Sequence, residues 1–194
     1  MRISHHQSLF FNVENMENEI GLKRGTVKLS EHNPRWKEFF EQEKGILFKK
    51  FPKVILEIQH GGSTAIHGIP AKPIIDMFAV VSSLKDAEEI KPELEALGYE
   101  YRGEEGVPER RLYVKGSQEK RTHHLQLVER NSNEWKNHIL IREYYLKHPD
   151  VAQQYAELKK KLAERYPDDR PSYGAGKDAF IKSVIENAKK EFES

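Results

Sequence analysis

Between Pro73 and Val81 the chain reads Pro-Ile-Ile-Asp-Met-Phe-Ala-Val-Val, and Asp76 is its only charge. A run this uniformly apolar predicts a central strand covered on both faces; a strand with one wet side would alternate. The fold must therefore supply layers above and below a sheet. A lone acid inside such a strand is costly unless it meets a metal, a cation or water. Thirteen residues earlier Ser63 sits in His60-Gly61-Gly62-Ser63-Thr64-Ala65. Small residues and a hydroxyl there can turn several backbone N–H groups toward an anion. The same composition also serves as an ordinary strand-to-helix turn.

The flanking sequence predicts the layers. Asn33-Pro34 announces a helix, Asn as cap and Pro in the first turn, with Trp36, Phe39, Phe40, Glu43, Ile46 and Leu47 at helical spacing. Val54 to Ile58 reads as a strand leading into the glycine turn, and Val27-Lys28-Leu29 as a short edge strand. Thr64 to His67 allows one brief helical turn. Ser83 with Asp86 resembles a helix-start box, followed by Leu84, Ala87, Ile90, Leu94 and Leu97 on one face and a break at Pro92. Tyr99 to Arg102 is extended. Arg111 to Lys115 and Thr122 to Glu129 form antiparallel strands around Gly116-Ser117. Three helices follow at about 133–147, 150–166 and 176–192. The expected class is α/β (α+β): a mixed sheet flanked by helices, with a core over 27–130 and a helical C-terminal part over 133–192. Residues 1–26 read as an extension to this single domain of 27–194, with Met16 as an alternative start.

Composition narrows the function classes. In 194 residues, 32 Lys and Arg offset 31 Asp and Glu, so no net field draws the chain to nucleic acid or a membrane. No stretch approaches a membrane span, the N-terminus lacks the apolar core of a signal peptide, and a cytoplasmic location is expected. Without cysteine there is neither disulfide nor thiolate chemistry. The nine histidines have no spacing of a structural zinc site.

Several side chains stand out against their surroundings. Asp76 reads as a magnesium ligand or a general base, or as a carboxylate satisfied by a buried arginine or backbone donors. On a strand through Thr122 to Glu129, His124 and Gln126 share one face and Leu125 and Leu127 the other. His124 is then the candidate for the site and for the metal, and His123 a bystander near the sheet margin. Arg142 falls on a stripe with Trp135, Ile139 and Leu146, which predicts a guanidinium in a packing face, paired with Asp76 or Glu57 or holding a phosphate. Lys177 shares a stripe with Ile181, Val184 and Ala188 in the expected first turn of the last helix, where a cation opposes the helix dipole unless an anion or a salt bridge answers it. Tyr173 is placed to close over a ligand or simply to pack. Lys72 and Arg110-Arg111 are weaker candidates, of the kind that rim a cleft.

The text from His60 through Ile66-His67-Gly68-Ile69-Pro70-Ala71-Lys72-Pro73 to Asp76, with Thr122-His123-His124-Leu125-Gln126, Trp135 with His138, Ile141-Arg142-Glu143-Tyr144-Tyr145-Leu146 before His148-Pro149, and Tyr173 with Lys177, resembles the GrpB family over about 27–192. The resemblance implies a nucleotidyltransferase-like fold and a nucleotide or phosphate in the cleft between Gly62-Ser63 and the Asp76 strand. It also implies a chain that occurs alone or fused to other enzymes. One departure weakens the implied chemistry. Active nucleotidyltransferases hold two metals with an Asp-x-Asp pair and a third acid on a neighbouring strand. Here Phe78 stands at the second position, and the neighbouring strand offers His124 and Gln126.

Three functions follow as expectations. The first is a magnesium-dependent nucleotidyl- or phosphoryl-transferase acting on a nucleoside triphosphate. In it Gly62, Ser63 and Thr64 hold phosphates, Asp76 and His124 carry metal and chemistry, and Lys72, Gln126, Arg142, Tyr173 and Lys177 complete the ligand site. The second is a non-catalytic sensor of a small phosphorylated molecule. The third is an interaction domain whose charged helices meet a protein partner. No aromatic–basic platform predicts nucleic-acid readout.

Overall fold

The structure, a computed structural model, describes residues 20–193. The alternative start at Met16 and the first 19 residues of the expected extension lie outside the described residues. Five strands form one mixed sheet in the order β1-β2-β5-β4-β3: β1 (Ile55–Gly61), β2 (Ile75–Val81), β3 (Tyr99–Tyr101), β4 (Arg110–Ser117) and β5 (Lys120–Glu129). Only β2 and β5 run parallel; the other neighbours are antiparallel.

The apolar run becomes the middle of this sheet, and pleating divides its side chains. Ile75, Met77 and Ala79 face one layer with Leu125 and Leu127 of β5, all fully buried. That layer is α1 (Arg35–Lys50) and α2 (Lys91–Ala96), which contribute Trp36, Phe39, Phe40, Leu47 and Leu94. Asp76, Phe78 and Val80 point the other way. There Phe78, Val80 and Val128 of β5 meet Trp135 of α3 (Asn133–Lys147). Behind α3 stand α4 (Pro149–Arg165) and α5 (Arg170–Phe192), sharing a second core built on Leu140, Tyr144, Tyr155, Ala156 and Val184.

Local chemistry explains the helix starts. Asn33 Oδ1 accepts from the Arg35 N–H at 3.0 Å, and Ser132 Oγ from the Trp135 N–H at 3.2 Å. Asp169 Oδ1 accepts from the Ser172 N–H at 3.1 Å, so the last helix begins at Arg170, six residues before the start expected from sequence. The cause is Pro171, whose missing N–H is harmless in a first turn. Gly174 and Gly176 lie inside the helix. At Gly176 the Leu162 side chain of α4 occupies the space a Cβ would need. The segment after β2 is a 3-10 turn (Asp86–Ile90) that becomes α2 with Pro92 in its first turn, so the expected break falls at Lys91.

Two other expectations change. Val27 to Leu29 is not a strand; Ser30 makes an isolated bridge to Ala71, and the Val27 N–H reaches the Pro167 carbonyl. Ile46 is exposed, so α1 packs through Trp36, Phe39, Phe40, Glu43 and Leu47. The described end of the extension is laid against the sheet: Gly21 and Leu22 donate to Pro73 and Arg121, and Ile20 and Leu22 are buried.

Candidate functional site

Strand register sets the site. Gly61 is paired with Asp76, and Asp76 with His124, so three neighbouring strands meet at one level. His124 Nδ1 lies 2.9 Å from Asp76 Oδ1. Burial would raise the Asp76 carboxyl, but the His124 bond and the charges of His124, Lys72 and Arg170 outweigh it and hold Asp76 below the usual carboxylate range. Asp76 therefore accepts, and the histidine proton sits on Nδ1.

The glycine turn is shaped around that carboxylate. Gly62 has φ +61° and ψ −169°, backbone that L side chains rarely adopt. A Cβ there would strike Asp76 Oδ2. Gly61 is needed for a different reason. It belongs to β1, and a Cβ would lie 2.5 Å from the Phe78 ring and 3.1 Å from His138 Cε1. The Phe78 and His138 rings stack at 4.0 Å across this gap. The turn continues into a single 3-10 turn (Ser63–Ala65), and Thr64 Oγ1 bonds His60 Nε2 at 3.0 Å. Burial is the main cause that drives the His60 imidazole down to about 4.

Beneath the turn is a chamber of about 250 Å³ that brings together Gly62, Ser63, Thr64, Lys72, Asp76, His124, Tyr173 and Lys177. Two cations absent from the sequence expectations join them: Lys159 of α4 and Arg170 of α5. The Lys72 and Lys177 ammonium groups flank the buried Tyr173 ring at 5.4 and 4.6 Å from its centre. Lys159 is 2% exposed, donates to the Pro70 carbonyl at 2.5 Å and lies 4.9 Å from the Tyr155 ring centre. None of Lys72, Lys159, Arg170 and Lys177 forms a salt bridge with an acid among the described residues. Burial, then Arg170 and Lys177, bring Lys72 down to about 7. Burial and Lys177 do the same to Lys159, and burial also lowers Lys177.

Two wider spaces open from the same carboxylate. A pocket of about 490 Å³ lies between the sheet and helices α3 and α5, walled by Ile141, Ile181, Ile185 and Phe78 and sharing Gly62, Ser63, Asp76 and Lys177 with the chamber. Within its wall the buried His138 Nε2 and Tyr145 hydroxyl have no hydrogen-bond partner among the described residues. On the other side a groove of about 650 Å³ runs past His124 between Arg24, Arg102, Arg110, Arg121 and Arg170. Three of these are already answered. Arg102 and Arg121 pair with Glu100, and Arg110 donates to Gln126 Oε1 at 2.7 Å.

Several expectations shift in position. Gln126 and Arg142 lie outside the chamber, in the adjoining spaces. Arg142 is not in a packing face. Leu146 is 53% exposed, α3 packs instead through Trp135, His138, Leu140, Tyr144 and Tyr145, and Arg142 is 37% exposed. It donates to Gln59 and Glu143 at 3.3 Å, while Glu57 pairs with Arg130 and Asp76 with His124. Lys177 lies in the third turn of α5, so the helix-terminus argument for it does not hold; its burial beside Asp76 does. His123 is buried on the α1 side with Leu125, away from the chamber, and burial takes it to about 4. No periodicity marked Lys159, which sequence shows only as one of three consecutive lysines, or Arg170, which sits beside a proline.

A resident magnesium ion does not fit these donors. Asp76 is the chamber's one carboxylate, with Oδ1 engaged by His124 and Oδ2 against Gly62. Four side-chain cations surround it, and no group of three His, Asp or Glu able to hold a metal exists among the described residues. The second acid position is Phe78, whose ring is stacked on His138.

The chain is 41% identical to the UPF0157 protein YqkA of Bacillus subtilis over 84% of its length, and it spans about half (48%) of that relative. It is 37% identical to the glutamate-rich protein GrpB of Alkalihalophilus pseudofirmus, covering 86% of this chain and 98% of that one. Among solved structures it matches the conserved protein GrpB from Enterococcus faecalis with TM-score 0.80 and 37% identity, over 86% of this chain and 100% of that one. A likeness to the Cid1 poly(U) polymerase, TM-score 0.47 at 19% identity, is too distant to carry an argument. No helix among the described residues is long and apolar enough to cross a membrane. The GrpB protein family model matches residues 26–187, from the end of the extension to the last turns of α5, and the chain belongs to that family.

Proposed function

We propose that this chain binds a nucleotide, with its phosphates in the cationic chamber under Gly62-Ser63 and its nucleoside in the adjoining apolar pocket. The observation that carries the reading is the convergence of Lys72, Lys159, Arg170 and Lys177 on one small space, with a single carboxylate among them. Cations drawn partly or, at Lys159, wholly out of water with no salt bridge are expensive, and a polyphosphate relieves that cost at the moment of binding. The neighbouring pocket is within the size range of small-molecule sites, with mostly apolar walls and a few unpaired polar atoms, as a nucleoside requires. Both spaces share the glycine turn, so one molecule can occupy both.

A transfer reaction is favoured by one further feature, the Asp76–His124 pair on the chamber wall. Asp76 orients the imidazole through Nδ1–H and leaves Nε2 to take a proton from an acceptor hydroxyl. The acceptor oxygen then bonds to phosphorus, and the bond from phosphorus to the departing phosphate oxygen breaks. Lys72, Lys159, Arg170 and Lys177 stabilise the charge that moves onto the leaving group. Magnesium has no donor set of its own here, so no step passes through it.

The test is thermal melting with a panel of nucleoside triphosphates at millimolar concentration, followed by assays for released phosphate and pyrophosphate. A ligand that prefers the folded chain raises Tm. Binding with turnover supports the transferase; binding without turnover assigns a sensor. No shift with any nucleotide refutes both.

A further inference from the structure

We infer that the chamber is a metal-free polyphosphate clamp, in which fixed side-chain cations take the place that divalent metals hold in nucleotide sites built from paired acids. The inference rests on the nucleotide reading and narrows it to the ionic form of the ligand. A magnesium-assembled nucleotide site is built on one or two carboxylates free to face the metal, with waters and the ligand's own phosphates completing its shell. This chamber has the opposite charge balance.

Each wall contributes to it. The segment before β2 supplies Lys72, helix α4 supplies Lys159, and helix α5 supplies Arg170 and Lys177. The sheet supplies only the Asp76–His124 pair. A divalent cation entering here approaches Arg170, Lys177 and two lysines poised near 7, Lys72 and Lys159, against one carboxylate whose Oδ1 is already bonded. A polyphosphate entering here meets donors on three sides and the Ser63 hydroxyl at the turn. Tyr173 and Tyr155 hold three of the ammonium groups over their ring faces, which keeps them directed without neutralising them. Phe78 completes the case: the position two residues after Asp76 is committed to stacking on His138, and Gly61 is bare to permit it.

The role of Asp76 follows. Among cations it is a negative wall that limits how deep an anion enters and fixes the His124 ring. As a metal ligand it would instead be required for binding.

Isothermal titration with inorganic triphosphate distinguishes the two. In buffer with EDTA the chain should bind triphosphate at least as tightly as in buffer with excess magnesium, which competes for the ligand. Lys72→Gln and Lys177→Gln, both partly exposed, should each weaken binding in EDTA about tenfold. Asp76→Asn should leave binding intact or tighten it severalfold. Binding that appears only with magnesium, or that Asp76→Asn abolishes, overturns the inference and leaves the nucleotide reading standing. No binding in either buffer overturns both. Equal affinity in the wild type and both lysine variants places the anion elsewhere and also overturns the clamp.

Discussion

Replacing Gly62 by alanine tests how tightly the turn and the acid are coupled. The backbone at φ +61°, ψ −169° lies where a Cβ is strained, at a cost of about 1–3 kcal/mol. The new methyl would also meet Asp76 Oδ2, and aspartate is too short to swing aside while keeping its 2.9 Å bond to His124. Losing a hydrogen bond to a charged group adds about 1.5–3 kcal/mol. The sum is about 2.5–6 kcal/mol, or roughly a 10 °C fall in Tm or more for a chain this long. Urea unfolding of Gly62→Ala, Asp76→Ala and the double variant measures it. With the carboxylate removed the collision with Oδ2 disappears and only a 3.1 Å approach to the residue-76 Cβ is left, so Gly62→Ala should cost little more than the backbone part, and the cycle should show a coupling of about 1.5–3 kcal/mol. Equal costs in both backgrounds would refute the contact between turn and acid. A cost below about 1 kcal/mol in the wild type would refute the strained geometry as well.

Three further outcomes are expected. Glu43, 5% exposed, accepts from the Tyr99 hydroxyl at 2.8 Å and from Lys115 Nζ at 2.7 Å; Glu43→Ala leaves a buried hydroxyl unpaired and should cost about 2–4 kcal/mol by urea unfolding, against about 1 for Tyr99→Phe. Arg142→Gln removes only two 3.3 Å bonds from a part-exposed side chain, so its unfolding free energy should stay within about 0.5 kcal/mol of wild type. His60, His123 and His138 are each brought down to about 4, mainly by burial, so between pH 6.5 and 4 the unfolded chain binds more protons and stability falls as pH drops. Lys72 and Lys159, brought to about 7, give the same sign at higher pH: stability should rise from pH 7 toward 10. Urea midpoints across pH 4–10 check both limbs, and a flat profile would refute the burial of these bases.

Much of the sheet was legible because pleating leaves a two-residue signature. The uniform run marked β2 as a strand covered on both faces, and the alternation His124-Leu125-Gln126-Leu127 divided the faces of β5 as the structure does; the bond between Asp76 and His124 needed the strand register. Helical faces were less secure. On α3 the stripe Trp135, Ile139, Arg142, Leu146 is as periodic as the one that packs. Which of two such stripes is buried depends on the partner helices α4 and α5, which no local pattern specifies. The expected start of α5 fell six residues late because a proline marks a helix boundary without saying on which side of it the helix lies; here Asp169 caps and Pro171 sits in the first turn.

The site shows the same boundary more sharply. Ser63 and Asp76 are joined by one short connection between adjacent antiparallel strands, so their convergence could be argued from spacing. The chamber's charge could not. It is the sum of four cations spread from position 72 to position 177, and a charge in sequence carries no mark of whether it ends in solvent or in a cavity. Lys159, Lys160 and Lys161 are chemically identical. Lys160 is paired with Glu157 on the surface, while Lys159 is 2% exposed and faces Pro70. One turn of α4 thus converts a surface-type lysine run into a wall of the candidate site. Reading the acid alone suggested a metal ligand; the basic groups that surround it in three dimensions invert that electrostatic argument, because a carboxylate that already faces Arg170 and Lys177, with Lys72 and Lys159 beside them, attracts a further cation weakly.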